Sequence, residues 1–239
     1  MEIKTSIVTS SQKVEYVHQP YNCVIAPCSY ARLGLSKLLA SARQEEVLSF
    51  AGWSDWLALP GMLRARPAGV FIYRLPETLG PLMVGLEYLQ LFLSRRLRSI
   101  APLPQVVIIS DVPPFWLLDT LKGLLPNDNI DELPLYLLSA NSTPEQILTE
   151  LVIPGAPALL SLQAEKVPLS RRRAGITSIH VRILRDLLIN RISIQKQARM
   201  AGINVKTRYS QHYGAMRKLG AHSLIRLIRW GVRDWQCFR

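Results

Sequence analysis

Ile203-Asn204-Val205-Lys206-Thr207, followed after ten intervening residues by Lys218-Leu219-Gly220-Ala221-His222-Ser223, is the stretch on which the reading of this chain turns. Just before it, Ala201-Gly202 supplies a glycine able to take the left-handed conformation that a tight turn between helices requires. Asn204 is a good N-cap for a helix beginning at Val205. That helix, expected over Val205 to Lys218, offers Lys206, Thr207, Arg208, Tyr209, Ser210, Gln211, His212, Arg217 and Lys218, with no acid among them. A helix, a short turn and a second, basic helix make a helix-turn-helix. A major groove accepts such a helix, with Gln and Arg bonding base edges while Lys, Thr and Ser hold phosphates. The candidate DNA-binding residues are therefore Lys206, Thr207, Arg208, Ser210, Gln211, Arg217 and Lys218.

Outward from this turn, helical spacing predicts further helices over Ser178 to Ile189, Ile194 to Ala201 and Ser223 to Trp230, so that the C-terminal module has four. Ile183, Leu184, Leu187, Leu188, Ala198, Ile203, Met216, Leu219, Leu224, Leu227 and Ile228 fall on the inward faces as its small core. Arg208 either lays its stem along that core or turns toward DNA. His222, one residue before a serine able to cap the last helix, reads as a cap-region or phosphate contact rather than a metal ligand.

Charge divides along the chain in the same way. Of the formal net charge of +12, residues 1–165 contribute −3 and residues 166–239 contribute +15, the latter with only two acids, Asp186 and Asp234. Such asymmetry means that one end meets a polyanion, nucleic acid or an anionic membrane face. The membrane alternative rests on Trp230, Trp235 and Phe238 standing beside Arg226, Arg229, Arg233 and Arg239.

From residue 22 to 153, short apolar runs alternate with stretches of helical period, the pattern of a parallel sheet flanked by helices. Strands are expected near Cys23–Ala26, Val47–Phe50, Val70–Leu75, Val106–Ser110 and Leu135–Ser139. Helices are expected near Tyr30–Ser41, Asp55–Ala65, Leu79–Leu97, Phe115–Leu124 and Pro144–Leu151, the last after the cap-like Ser142-Thr143. Residues 154–175 hold Pro154, Pro157, Pro168, Gly155 and Arg171-Arg172-Arg173, and read as a linker in which Ala158–Leu162 adds to a last helix at most. The triple arginine either touches phosphates or keeps the hinge solvated.

Several classes are disfavoured. Cys23, Cys28 and Cys237 form neither a disulfide framework nor a zinc set, and read as ordinary thiols. The longest apolar stretch, Leu79–Leu93, is interrupted by Pro81, Glu87 and Gln90, and the N-terminus lacks a secretory pattern, so a cytoplasmic protein is expected. Nucleophile-elbow, phosphate-loop, metalloprotease and dinucleotide fingerprints are missing, and the four histidines are scattered, so no enzyme and no cofactor are expected.

The residues quoted at the outset resemble LuxR-type regulators, whose pattern reads I-S-x-K-T and then K-L-G-V-H-S with the same spacing. Ile176-Thr177 and Ile183-Leu184-Arg185 resemble that family's opening L-T and V-L-R, and Ser210-Gln211 with Ala215-Met216 are similar to the Rcs phosphorelay regulators and their auxiliary partners. The departures are His180 and Arg182 in place of acids, Asn190 with one extra residue where the family has a helix-ending glycine, and Arg208 in place of a valine. Asn190 would close that helix in the left-handed conformation.

The resemblance implies that residues 1–153 form a receiver-like domain with a five-stranded parallel sheet, that 154–175 link, and that 176–239 form the helix-turn-helix domain. It implies double-stranded DNA as ligand, and pairing as a homodimer or with a related response regulator, aided by Leu224, Leu227, Ile228 and Trp230 of the last helix. It also implies control of capsule or other surface structures. A phosphate-accepting receiver has an acid pair after its first strand, an aspartate ending the third and a lysine after the fifth; the corresponding places here hold Ala26-Pro27-Cys28, Arg74 and Ser139, with Ser110 alone fitting. Arg74 at the degenerate phosphoacceptor position cannot form an acyl phosphate, and no magnesium site remains. Regulation independent of phosphorylation is the expectation, unless the first domain is α/β without being receiver-like at all.

Overall fold

Strands that are apolar at nearly every position, such as Tyr21–Ile25 and Gln105–Ile109, have to be buried on both faces of a sheet. A computed structural model, describing residues 21–43, 45–61, 64, 68–98, 103–152, 159–172 and 174–221, arranges them in that way. Five strands, β1 (Tyr21–Ile25), β2 (Val47–Phe50), β3 (Ala68–Arg74), β4 (Gln105–Ile109) and β5 (Leu135–Leu138), form an all-parallel sheet in the order β2-β1-β3-β4-β5. Helices α1 (Ser29–Arg43), α2 (Trp53–Leu57), α3 (Leu79–Leu97), α4 (Pro114–Leu124) and α5 (Pro144–Val152) supply the crossovers.

Alternation along each strand sorts side chains to two cores. Val24, Val70, Ile72, Val107, Ile109, Tyr136 and Leu138 face α1 and α5, where Leu35, Leu39, Ile147 and Leu151 meet them. Cys23, Ile25, Phe71, Tyr73, Val106, Ile108, Leu135 and Leu137 face α2, α3 and α4. Aromatic rings fill the second core near β3, with Phe71 stacked on Phe92 at 4.2 Å between centroids. Each such side chain fully withdrawn from water contributes roughly 1.5–3 kcal/mol.

A buried asparagine interrupts the apolar pattern of β1. The β1–β3 register shifts between Tyr21 and Cys23, which face Ala68 and Phe71. At this bulge Asn22, fully buried, accepts the Val70 N–H at 2.9 Å and donates to Glu45 at 2.9 Å, replacing the ladder bonds lost there.

The expected helix over Asp55–Ala65 is corrected. It begins two residues earlier, at Trp53, and stops at Leu57 with Ala58 as its C-cap, and the Arg64 N–H donates to the Pro60 carbonyl at 3.2 Å beyond the break. Pro60 has no N–H to donate to Trp56 and pushes Leu59 away from helical geometry, so one continuous helix cannot pass through it. The helix Leu79–Leu97 has the expected bounds, and α5 starts from a capping box in which Thr143 accepts from Gln146 N–H at 3.3 Å while the Gln146 side chain accepts the Thr143 N–H at 2.9 Å.

Beyond the sheet, α6 (Leu160–Glu165) lies in the proline-bearing segment and buries Leu160 and Ala164 against α4. Then follow α7 (Ser178–Leu188), α8 (Ile194–Met200) and α9 (Val205–Lys218). The last expected helix, Ser223–Trp230, lies outside the described residues. The C-terminal helices rest on α3 and α4. Gly175 N–H donates to Asp119 at 2.6 Å, and the buried Ile176 N–H donates to Thr120 at 3.1 Å. A Cβ on Gly175 would stand 2.2 Å from the Thr120 nitrogen, so only glycine fits this approach. Along the same seam Arg185 of α7 pairs with Glu87 of α3, and Ile189 packs over Gly80.

Replacing Asn22 by Ala leaves the Val70 N–H without a partner inside the sheet and is expected to cost about 1–3 kcal/mol. The check is the urea midpoint at unchanged m-value; a shift worth less than about 0.5 kcal/mol would mean that water or a relaxed register takes over the bond.

Candidate nucleic-acid interface

The turn between α8 and α9 forms as its residue types require. Gly202 adopts φ 63°, its N–H and that of Ile203 close the end of α8 on Arg199 and Ala198, and Asn204 caps α9 by accepting the Lys206 N–H at 2.7 Å. α8 is capped in turn by Ser193, which accepts from Lys196 N–H at 3.3 Å. Buried Gln197 ties α8 to its neighbours by donating to the carbonyls of Ile183 at 3.2 Å and Ile192 at 3.0 Å. Val181, Ile183, Leu184, Ile194, Ala198, Ala215, Met216 and Leu219 form the buried set that holds the three helices together.

One local detail differs from expectation. Asn190 is not the residue in the left-handed region; Arg191 is, at φ 53°. The helix end is reached one residue later because the Asn190 amide donates to Asp186 at 2.8 Å, and the Ile192 N–H closes on the Asp186 carbonyl at 2.8 Å.

Rotation of about 100° per residue sorts the side chains of α9. Lys206, Ser210, Tyr213 and Arg217 recur along one stripe and are all exposed, with Thr207 and Tyr209 exposed on either side. Gln211 and Lys218 lie half-buried on one flank. Arg208 falls on the opposite face, 6 % exposed, with its Nη1 donating to Gln211 at 3.2 Å. Six of the seven candidate residues are thus exposed or half-buried, while Arg208 sits behind them and orients Gln211. Tyr213, 68 % exposed on the stripe, was not among the candidates, although counting i+3 from Ser210 reaches it.

The surrounding charge is one-sided. Within residues 174–221 the sole acid, Asp186, is engaged by Arg185 at 3.0 Å and by Asn190. Arg182, Arg191, Lys196 and Arg199 extend the exposed positive surface beyond α9. Uncompensated cations around a protruding helix concentrate polyanions by counterion release.

At the carboxyl ends of the strands the geometry is different. Ala26 is buried, and its carbonyl accepts from Arg32 at 3.0 Å. Arg74, ending β3, pairs with Glu77 at 3.5 Å. Ser139 donates to Asp111 at 2.7 Å, and Ala140 N–H reaches the same carboxylate oxygen at 2.9 Å. Exposed Cys28 has its thiol pKa lowered by the N–H groups of Ala31 and Tyr30 and, less, by the nearby Arg74 and Arg32. Among the described residues, no group of three or more His, Cys, Asp or Glu side chains gathers to hold a metal, and no helix is long and apolar enough to cross a membrane.

No family model matches the sequence, and no curated protein sequence does. Solved structures match by fold. RcsB from Salmonella enterica serovar Typhimurium, bound to promoter rprA with a phosphomimetic, is similar at TM-score 0.52 and 17 % identity over 89 % of this chain and 98 % of that one. The RcsB response regulator of Salmonella typhimurium described for its conformational dynamism in DNA interaction is similar at TM-score 0.51 and 18 % identity over 90 % and 98 %. A structure of two RcsB dimers on two parallel DNAs gives 0.50 and 16 % over 89 % and 98 %. The shared fold comprises the parallel sheet in the order 2-1-3-4-5 with its helices and the helical C-terminal domain.

The two half-buried imidazoles of this module, His180 and His212, have lowered pKa values because burial disfavours their charged forms, and Lys218 adds to the effect at His180. Their folded pKa values lie below the unfolded value of about 6.5, so their contribution is complete above that pH and is lost as pH falls toward the lower folded values. The urea midpoint is expected to fall between about pH 7 and 5 more in wild type than in the double variant His180→Gln/His212→Gln. In that variant the amide that replaces the imidazole of His180 can still reach back to the Thr177 N–H, so the helix cap is retained. Parallel pH profiles for the two proteins would contradict this.

Proposed function

We propose that this protein is a sequence-specific, double-stranded-DNA-binding transcription regulator that acts without phosphorylation, as a homodimer or paired with a related response regulator. The observation that carries the reading is the exposed, acid-free stripe of α9, Lys206, Ser210, Tyr213 and Arg217, on a capped helix-turn-helix. A helix of this shape fits a major groove, with Lys206, Arg217 and Lys218 on phosphates, Thr207 and Ser210 on phosphate or sugar, and Gln211, oriented by Arg208, toward base edges. Residues 1–153 serve as a receiver-like partner domain, 154–175 as the connection and 176–239 as the DNA-binding domain. Phosphorylation independence is supported by Ala26, Arg74 and Ser139 at the strand ends, where a phosphate-accepting domain needs carboxylates and a lysine. A cytoplasmic, non-catalytic role goes with this reading. The aromatic and basic residues that would favour a membrane anchor, from Arg226 to Arg239, lie outside the described residues.

Genome-wide occupancy of the tagged protein, with and without an Rcs-type regulator in the cell, tests the reading. Discrete sites are expected, lost in K206A/R217A, and their dependence on the second regulator separates heterodimer from homodimer. In vitro, log affinity should fall by about 0.9 per log salt for each phosphate neutralised, and Lys206→Ala should weaken every sequence alike and reduce that slope by about one phosphate. Gln211→Ala should relax discrimination at one base pair by about 1–3 kcal/mol with little change in slope. Occupancy without discrete sites, or a Gln211→Ala variant with unaltered preference, would refute the sequence-specific mode or the docking register respectively.

A further inference from the structure

A cavity of about 300 Å³ opens at the carboxyl ends of β1 and β3, on the face of the sheet that carries α2 and α3. The chain runs outward from β1 to β2 and returns to β3 on the other side of β1, so this is the point where strand order reverses. Open parallel sheets bind ligands in the crevice at such a point. Arg74 does not reach this cavity. Its side chain lines a smaller one, of about 200 Å³, on the opposite face with Ser139 and Ile109.

The walls define the ligand's chemistry. Ile25, Trp53, Tyr73, Val84 and Tyr88 make them apolar and aromatic, and among the described residues no charged side chain takes part. Trp53 stands edge-on to Tyr73 at 5.0 Å and nearly parallel to Tyr88 at 6.0 Å, so this wall is the edge of the aromatic core that Phe71 and Phe92 continue. An apolar cavity of roughly 150 Å³ holds one benzene, so about twice that volume suits two fused rings. The Tyr73 hydroxyl is packed against α3, where a Cβ on Gly85 would lie 2.2 Å from it, and the Trp53 indole N–H is buried beside it, so a ligand is held by apolar and aromatic contact.

The remaining wall comes from the helical module. Ile189, following α7, reaches the cavity mouth across Gly80, yet remains 45 % exposed. A bound molecule would cover this apolar surface and touch both parts of the chain at once.

We infer that this cavity is a binding site for a small uncharged bicyclic aromatic, which ties α7 to the sheet domain through Ile189. Binding itself is independent of the proposed DNA function; the coupling of the ligand to DNA affinity rests on that reading. Occupancy favours the docked arrangement, because the ligand contacts Ile189 only when α7 is in place.

The test uses the full-length protein with indole and 2-naphthol as probes, and naphthalene-2-sulfonate as the charged control, in calorimetric titrations. At least one neutral probe should bind saturably, and the sulfonate should bind at least about tenfold more weakly, since its charge would enter an apolar site unpaired. Val84→Phe should abolish binding while circular dichroism shows a folded protein. Ile189→Ala, at an exposed position that cannot unfold the sheet, should weaken binding by about threefold or more through lost apolar contact. Saturable binding lost or weakened in these variants supports the site. Absence of binding by both neutral probes overturns it, as does unaltered binding in Ile189→Ala or in a folded Val84→Phe. DNA titrations with and without the bound probe then separate the two layers: a probe that binds as described but leaves DNA affinity unchanged overturns the coupling alone.

Discussion

The close approach of Gly175 to α4 is the constraint on which the arrangement of the chain depends. Its N–H lies 2.6 Å from the Asp119 carboxylate, and the backbone of Thr120 occupies the space that any Cβ would need. With Gly175 and Ile176 held against α4, the first turn of α7 has little freedom, and α7 falls along α3, where Glu87 meets Arg185 and Gly80 admits Ile189. A charge pair of this kind, partly open to water, contributes direction more than stability. Glycine at the contact points and apolar packing beside them do the rest: Ile176, Val181 and Leu184 belong to the same continuous core as α3 and α4.

Holding α7 in this way leaves α9 turned outward. Its buried side is committed to Ala215, Met216, Leu219 and the aliphatic stem of Arg208, so the exposed stripe is what remains for a partner. The sheet domain and the helical module also divide the electrostatic labour. Nearly all acids lie before residue 166, and the one acid of the described C-terminal helices is already paired, so the positive field around α9 is opposed by little within its own module.

Much of this could be read from residue types because local chemistry and global packing agree. Val205–Lys218 begins at an asparagine cap after a glycine turn, and Leu79–Leu97 is a long apolar period after Thr78; both helices have the bounds their sequences imply. The misreadings arise where a tertiary or backbone effect competes with a local signal. Around Pro60 the helical period of the neighbouring residues masks the break that the proline imposes. Asn190 is the better left-handed candidate by type, but its amide is committed to Asp186 and the conformation moves to Arg191. Arg208 carries the right charge for a groove, yet the helical rotation places it inward and Tyr213 outward. Gly80 and Gly175 give no local hint of their role, since the residues they accommodate are about 55–110 positions away in sequence and only the assembled seam brings them together.

The short helix α6 has a further consequence for how the molecule can move. Parallel sheets end in strands with unpaired backbone groups, and β5 is one of these. Leu159 makes an antiparallel bridge to Tyr136, and the Gln163 side chain donates to the Leu137 carbonyl at 3.0 Å, so residues 159–165 act as a cover over that rim of the sheet. An uncovered rim is a template for pairing with a second chain. A swing of the C-terminal helices that lifted α6 away would therefore expose adhesive backbone along with it. Arg172, donating to the carbonyls of Glu165 and Val167, fastens the chain just downstream of this cover.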